Sequence, residues 1–147
     1  MSNPNNPCIF CKIDKKNIIF ENDYAYASYD SYPVSKFHSL IIPKRHISDF
    51  FELKENELVS CYEIIRHVKA VIEKKDKFVK GFNIGTNAGL ISGQTIMHCH
   101  IHVIPRRKGD VDNPQGGVRG VIPLKQHYIR KSKWKKSIYA VDLLDHL

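Results

Sequence analysis

The octapeptide HCHIHVIP, His98 to Pro105, sets three of the chain's eight histidines at every second position, with Cys99, Ile101 and Val103 between and after them. Alternation over an apolar, β-branched run is the pattern of a strand whose two faces differ. It predicts that His98, His100 and His102 share one face of one strand. At a rise of about 3.3 Å per residue, neighbouring rings root roughly 7 Å apart, close enough to grip one phosphate chain or one metal ion.

Three chemistries suit this pattern. Two histidines two apart on a strand are a common way to hold zinc, but a catalytic zinc also wants a nearby carboxylate or other base. No acidic residue lies within the ten positions before His98, and the first after it is Asp110. A neutral imidazole can instead attack phosphorus while its neighbours protonate the leaving oxygen or stabilise charge, which asks for one histidine flanked by two others. The third possibility is three inert, solvated histidines. Gly93-Gln94-Thr95, just upstream, favours the phosphate reading: glycine admits close backbone approach, and the Gln amide and Thr hydroxyl offer neutral donors. Standing alone, it is also an ordinary turn into a strand.

The rest of the chain reads as a scaffold for that strand. Ile18 to Glu21 and Tyr24 to Tyr29 suit two antiparallel strands around a turn at Asn22-Asp23, and His38 to Pro43 a third after the loop SYPVSKFH. Between Phe50 and Lys75, Leu53, Leu58, Tyr62, Ile65, Val68 and Ile72 recur at helical spacing, predicting one long helix. Lys54 is a poor N-cap, although Glu55 and Glu57 suit the positive end of the helix dipole. Gly81 to Thr86 reads as a strand and Asn87 to Gln94 as a loop. Past Pro105 the character changes: RRKGDVDNPQGGVRG is too rich in Gly, Pro and Asp for a regular element. Ser132 to Leu147 suits a C-terminal helix with Trp134, Ile138, Val141 and Leu144 on one side. The expected class is α+β, a mainly antiparallel β-sheet with one long helix and a C-terminal helix, in a single domain over 1–147.

Composition excludes little beyond extremes: 42% hydrophobic and 26% charged residues are ordinary for a globular protein. No apolar run has the length of a membrane span and MSNPNNP has no signal-peptide character, so a cytoplasmic location is expected. The net charge of +8 is uneven, with 13 basic and 11 acidic side chains over 1–105 against 10 and 4 over 106–147. The basic end could draw a polyanion, or could be a solubilising tail. Cys8 and Cys11, as C-I-F-C, suggest metal or redox chemistry, or a buried apolar knot; Cys61 and Cys99 read as core residues.

GQTIMHCHIHVI resembles the defining motif of the histidine triad (HIT) family. FHSLIIPKRHI resembles that family's other recurrent stretch, NPCIFCKI the start of its Hint-type and bacterial members, and RKGDVDNPQGGVRGVIP a loop of a prokaryotic branch. Together they span most of residues 8–125, leaving 126–147 as a basic extension. The resemblance implies a histidine-triad-like fold, commonly a homodimer, and a nucleotide hydrolase or transferase acting on the α-phosphate of a dinucleoside polyphosphate or nucleoside phosphoramidate. It implies His100 as nucleophile through a nucleotidyl-histidine intermediate, His102 at the bridging oxygen, and His38 behind the triad. It assigns Asp30 to the ribose hydroxyls and Asn87, Gly93, Gln94 and Thr95 to the phosphate side.

Cys8, Cys11, His46 and His98 correspond to four zinc ligands of one branch, implying a structural Zn2+. Arg106-Arg107-Lys108 favours a longer phosphate chain. KQHYIRKSKWKKSIY could bind single-stranded nucleic acid, reach a neighbouring subunit's site, or anchor a terminal helix through Trp134. Two rival functions remain: a non-catalytic nucleotide sensor, and a zinc hydrolase using the triad itself as ligands.

Overall fold

The computed structural model describes residues 7–129. The chain divides into two compact units between Arg106 and Arg107, where the sequence turns from alternating apolar residues to Gly, Pro and Asp. The helix expected over 132–147 lies outside the described residues. So does most of the basic tail.

The first unit is built on a five-stranded sheet. Its strands are β1 (Ile18–Glu21), β2 (Ala25–Tyr29), β3 (Ser39–Pro43), β4 (Val79–Gly85) and β5 (Ile101–Arg107), and the spatial order is β1-β2-β3-β5-β4. β2 pairs antiparallel with β1 and β3, and β3 antiparallel with β5. One long helix, α1 (Glu55–Lys75), runs between β3 and β4. This is the α+β class expected. Among the described residues no helix is long and apolar enough to cross a membrane.

Register decides which face carries what. Leu40 pairs with both Ser28 and His102, and Ile41 pairs with Ala27 and Ile101. Because successive side chains on a strand point to opposite faces, Ala27, Ile41, Ile101 and Val103 lie on one side and Leu40 and His102 on the other. The first side meets α1 through Cys61, Ile64, Val68 and Ile72, and this is the main core. The second side packs Tyr26, Leu40 and Ile42 against Phe10 from the N-terminal segment. The histidine site therefore sits on the face away from the helix.

The buried side of α1 coincides only in part with the apolar positions at helical spacing. Its buried residues are Glu57, Ser60, Cys61, Ile64, Val68 and Ile72, while Leu58 and Tyr62 are exposed. The apolar pattern was wider than the buried stripe, and the small residues Ser60 and Cys61 are what let the helix lie close to the sheet. Ile64→Ala is expected to cost about 2–5 kcal/mol and Glu63→Ala, at an exposed position of the same helix, no more than about 0.5 kcal/mol. Urea denaturation reads both values, and equal losses would contradict the packing.

The helix start is also better held than Lys54 suggests. Glu57 accepts the backbone N–H of Lys54 at 2.9 Å. It also takes a two-pronged bond from Arg45, Nε to Oε1 at 2.6 Å and a terminal nitrogen to Oε2 at 3.0 Å. Arg45 neighbours His46, so this clamp fixes the turn that delivers His46.

Candidate active site and metal centre

The histidine run is not strand throughout. β5 begins at Ile101, so only His102 lies in a regular strand, and His98 and His100 occupy the irregular segment leading into it. The three side chains nonetheless share the sheet face away from α1: Phe10, which packs on that face, meets the rings of both His98 and His100, and His102 lies on it by register. His98 is fully buried and turns toward the N-terminal cysteines, while the rings of His100 and His102 stay together with centroids 5.2 Å apart.

Hydrogen bonds assign a proton to one nitrogen of each ring. His98 Nε2 donates to the Pro43 carbonyl at 2.8 Å, which leaves the lone pair on Nδ1. His100 Nδ1 donates to the His98 carbonyl at 2.8 Å, which leaves the lone pair on Nε2. His38 Nδ1 accepts the Val34 N–H at 3.2 Å, so a neutral His38 carries its proton on Nε2. That proton faces His102 Nδ1 at 2.9 Å. His102 must then hold its own proton on Nε2. One ring thus offers a lone pair and its neighbour an N–H.

Charge is arranged to match. Burial holds His38 and His102 below the ordinary histidine value, with the neighbouring His100 and His38 adding to the effect at His102 and Asp30 opposing it at both. Asp30 Oδ2 lies 3.5 Å from His38 Nε2 and 3.9 Å from His102 Nδ1. Both rings are neutral at pH 7. The stability tied to that state is present above about 6.5, the unfolded value, and is lost as pH falls through the lower folded values. Thermal melts from pH 7.5 to 5 should show a falling midpoint, steeper in the wild type than in a His38→Gln variant.

The loop that presents His38 is strained and tied. Phe37 adopts φ +70°, a left-handed conformation unusual for an aromatic residue. The backbone of Asp30 bonds the His38 carbonyl at 2.9 Å, and Ser35 Oγ donates to the Pro105 carbonyl at 2.8 Å.

Beside Asp30 opens a pocket of about 710 Å³, with Phe10, Ile18, Leu40 and Ile96 as apolar lining and Lys12, Lys16 and Lys75 among its polar groups. A second depression of about 630 Å³ near Tyr24 carries Glu55 and Glu63 and no histidine, lysine or arginine, so it suits no phosphate.

Four further expected residues fall in different surroundings. Asn87 is half-buried and Thr95 exposed. Gly93 takes φ +93°, the left-handed turn that favours glycine. Gln94 departs from the sequence expectation. Its side chain is buried, with Oε1 accepting Gly89 N–H at 2.8 Å and Nε2 donating to the Ser48 and Ile96 carbonyls at 2.6 and 3.0 Å. That amide holds the loop together and has no donor left for phosphate. Arg106 likewise is engaged, donating to Asn83 Oδ1 at 2.6 Å.

Cys8, Cys11, His46 and His98 converge. Cys8 Sγ lies 3.4 Å and Cys11 Sγ 3.6 Å from His98 Nδ1, and His46 Nδ1 is 3.2 Å from Cys11 Sγ and 3.1 Å from His98 Nδ1. A tetrahedral zinc with ordinary bond lengths separates sulfur from nitrogen by about 3.6 Å and nitrogen from nitrogen by about 3.3 Å. The donors fit a closed S2N2 set. The Pro43 carbonyl supplies the bond that turns the His98 lone pair inward, as metal-bound histidines require. His100 belongs to neither group of potential metal ligands among the described residues. A zinc held by all three triad histidines is therefore not what this geometry offers. Cys61 and Cys99 stay core residues, both buried, and that burial pushes their thiols up to about 11 and about 12.

Val34, Pro43 and Phe10 were not evident as site residues in the sequence. Two act through backbone atoms, which carry no residue signal. Phe10 sits inside the C-I-F-C motif, where its neighbours drew the attention.

A family model described as HIT domain matches residues 12–109. An uncharacterized HIT-like protein of Methanocaldococcus jannaschii is 38% identical over 108 residues, covering 70% of this chain and 81% of that one. The adenosine 5'-monophosphoramidase of Saccharomyces cerevisiae is 33% identical over 104 residues, covering 68% of this chain and 63% of its own length. Among solved structures, a Zn-bound histidine triad family protein from Mycobacterium smegmatis superposes with a TM-score of 0.64 at 29% identity, covering 71% of this chain and 78% of that one.

Proposed function

This chain belongs to the histidine triad family, and from that premise we propose that it hydrolyses a phosphoanhydride or phosphoramidate bond at the α-phosphate of a nucleotide through a nucleotidyl-His100 intermediate. The observation that carries the reading is the division of protons between adjacent rings, a lone pair on His100 Nε2 and a proton on His102 Nε2. The pocket beside Asp30 supplies an apolar seat for a base; in this reading Asp30 meets the ribose hydroxyls, and Asn87, Gly93 and Thr95 serve the phosphate side as the family resemblance implies.

The chemistry follows in balanced steps. As the anionic substrate binds, the His38–His102 pair takes up one proton from solvent on His38 Nδ1, which then releases the Val34 N–H, and Asp30 stabilises the resulting cation. When His102 gives up its Nε2 proton, the His38 Nε2 proton moves to His102 Nδ1. His100 Nε2 attacks phosphorus and the bond to the bridging atom breaks. The departing atom keeps the electron pair and takes the His102 Nε2 proton. Water then attacks phosphorus, its proton passes to His102, the N–P bond breaks, and a nucleoside monophosphate leaves.

His102→Ala should cost about 10²–10⁴-fold in kcat with an amine or alkoxide leaving group, and far less with p-nitrophenolate, which departs without protonation. Equal losses on both substrates would remove His102 from that role. The yeast relative's phosphoramidase name makes adenosine phosphoramidate the first substrate to assay.

Zinc in the Cys8, Cys11, His46 and His98 set would tie the N-terminal segment and the His46 turn to the start of the catalytic run, supplying structure and no catalytic step. A homodimer belongs to the same reading, supported by the exposed apolar row Leu58, Val59 and Tyr62 on α1. Sedimentation of a monomer at micromolar concentration would remove it.

A further inference from the structure

We propose that Phe10 is a positioning residue for the nucleophile, the side chain through which occupancy of the Cys8, Cys11, His46 and His98 cluster sets the geometry of His100. The inference rests on the reading of His100 as nucleophile. Phe10 lies between the two cysteines in the sequence, so its backbone moves with theirs. Its ring meets His98 edge-on, centroids 5.8 Å apart with planes at 90°, and meets His100 at 5.2 Å and 61°. One aromatic ring thus touches a metal-cluster histidine and the attacking histidine at once. It is buried against Tyr26, Leu40 and Ile42, and the Tyr26 hydroxyl donates to its carbonyl at 2.7 Å.

His100 needs such a support. Its backbone carbonyl accepts Thr86 Oγ1 at 2.7 Å and its ring is held by one bond, Nδ1 to the His98 carbonyl. A single hydrogen bond fixes the tautomer and leaves a hinge about which the ring can swing. The Phe10 edge stands against that swing.

The cluster in turn controls Phe10. His46 Nδ1 and His98 Nδ1 lie 3.1 Å apart beside two thiols, an arrangement that needs a cation or a proton between the lone pairs to persist. When the cluster opens, the 8–11 segment loses the anchors on both sides of Phe10.

The experiment uses the full chain as wild type, Phe10→Ala, Phe10→Leu, Cys8→Ser and Cys8→Ser/Phe10→Ala. It measures bound zinc by elemental mass spectrometry, kcat and KM on adenosine phosphoramidate, and ¹⁵N-imidazole spectra during zinc titration. Phe10→Ala should keep its zinc and lose about 100-fold in kcat, since a misplaced reacting group costs on that order, and KM should rise as well because Phe10 also lines the pocket beside Asp30. Phe10→Leu should recover part of the loss. Cys8→Ser should lose zinc and a similar factor in kcat, and the double variant should be no slower than Cys8→Ser alone. Zinc should move the His100 resonances further in the wild type than in Phe10→Ala, where only the link through the His98 carbonyl remains.

Unchanged kcat in Phe10→Ala, a loss confined to KM, loss of zinc by that variant, or losses that multiply in the double variant would each overturn the proposal. No turnover of any nucleotide by the wild type would sink the hydrolase reading instead, and the zinc-dependent movement of the His100 resonances would then decide the Phe10 inference by itself.

Discussion

Replacing His100 by Ala is expected to lower kcat on adenosine phosphoramidate by at least about 10⁴-fold, because the variant has no group to form the covalent intermediate and what remains is positioning of the substrate for water. Binding of a nucleoside monophosphate, read by calorimetry, should change far less, because the apolar pocket and Asp30 are untouched. The fold should survive too. His100 Nδ1 makes one bond to a neighbouring carbonyl, and the ring is not part of the core under α1. A loss of less than tenfold would show that water attacks directly and that His100 only orients it.

The second large effect concerns the metal. If zinc fills the S2N2 set at a free concentration a thousandfold above its Kd, linkage gives about 4 kcal/mol of stability, which chelation removes. For a chain of this size that corresponds to a fall in Tm on the order of 10–15 °C. The cluster joins three segments that are remote in sequence, at Cys8–Cys11, His46 and His98. Scanning calorimetry before and after treatment with a chelator, with bound zinc quantified in parallel, measures the effect. Equal midpoints in the loaded and stripped protein would mean that the four side chains are held by their surroundings without the ion. Cys8→Ser should reproduce the chelated midpoint and resist any further fall.

Much of the scaffold was legible because it is written in periodicity. Ile18 to Glu21 is a short apolar run before the Asn22-Asp23 turn, His38-Ser-Leu-Ile-Ile-Pro43 stops at its proline, and both appear with almost the expected bounds. The face of α1 was less legible. Leu58 and Tyr62 satisfy helical spacing as well as Ile64 and Cys61 do, and spacing alone cannot say which of two adjacent stripes meets the sheet. The site was legible in its side-chain types and not in its geometry. Three alternating histidines promise one shared face and keep it, but spacing cannot say that His98 turns to the thiols and the Pro43 carbonyl while His100 stays beside His102. Gln94 shows the same limit from the other side: an amide before a histidine run can serve a phosphate or a loop, and only its three partners reveal that it serves the loop.

The most direct test is to quench the wild-type reaction with a fast-leaving nucleotide substrate during its first turnover and locate any adduct by tandem mass spectrometry. A nucleoside monophosphate on His100, forming at a rate no slower than turnover and absent from His100→Ala, is the predicted result. Turnover with no adduct, or an adduct on His38, His98 or His102 instead, would contradict the account.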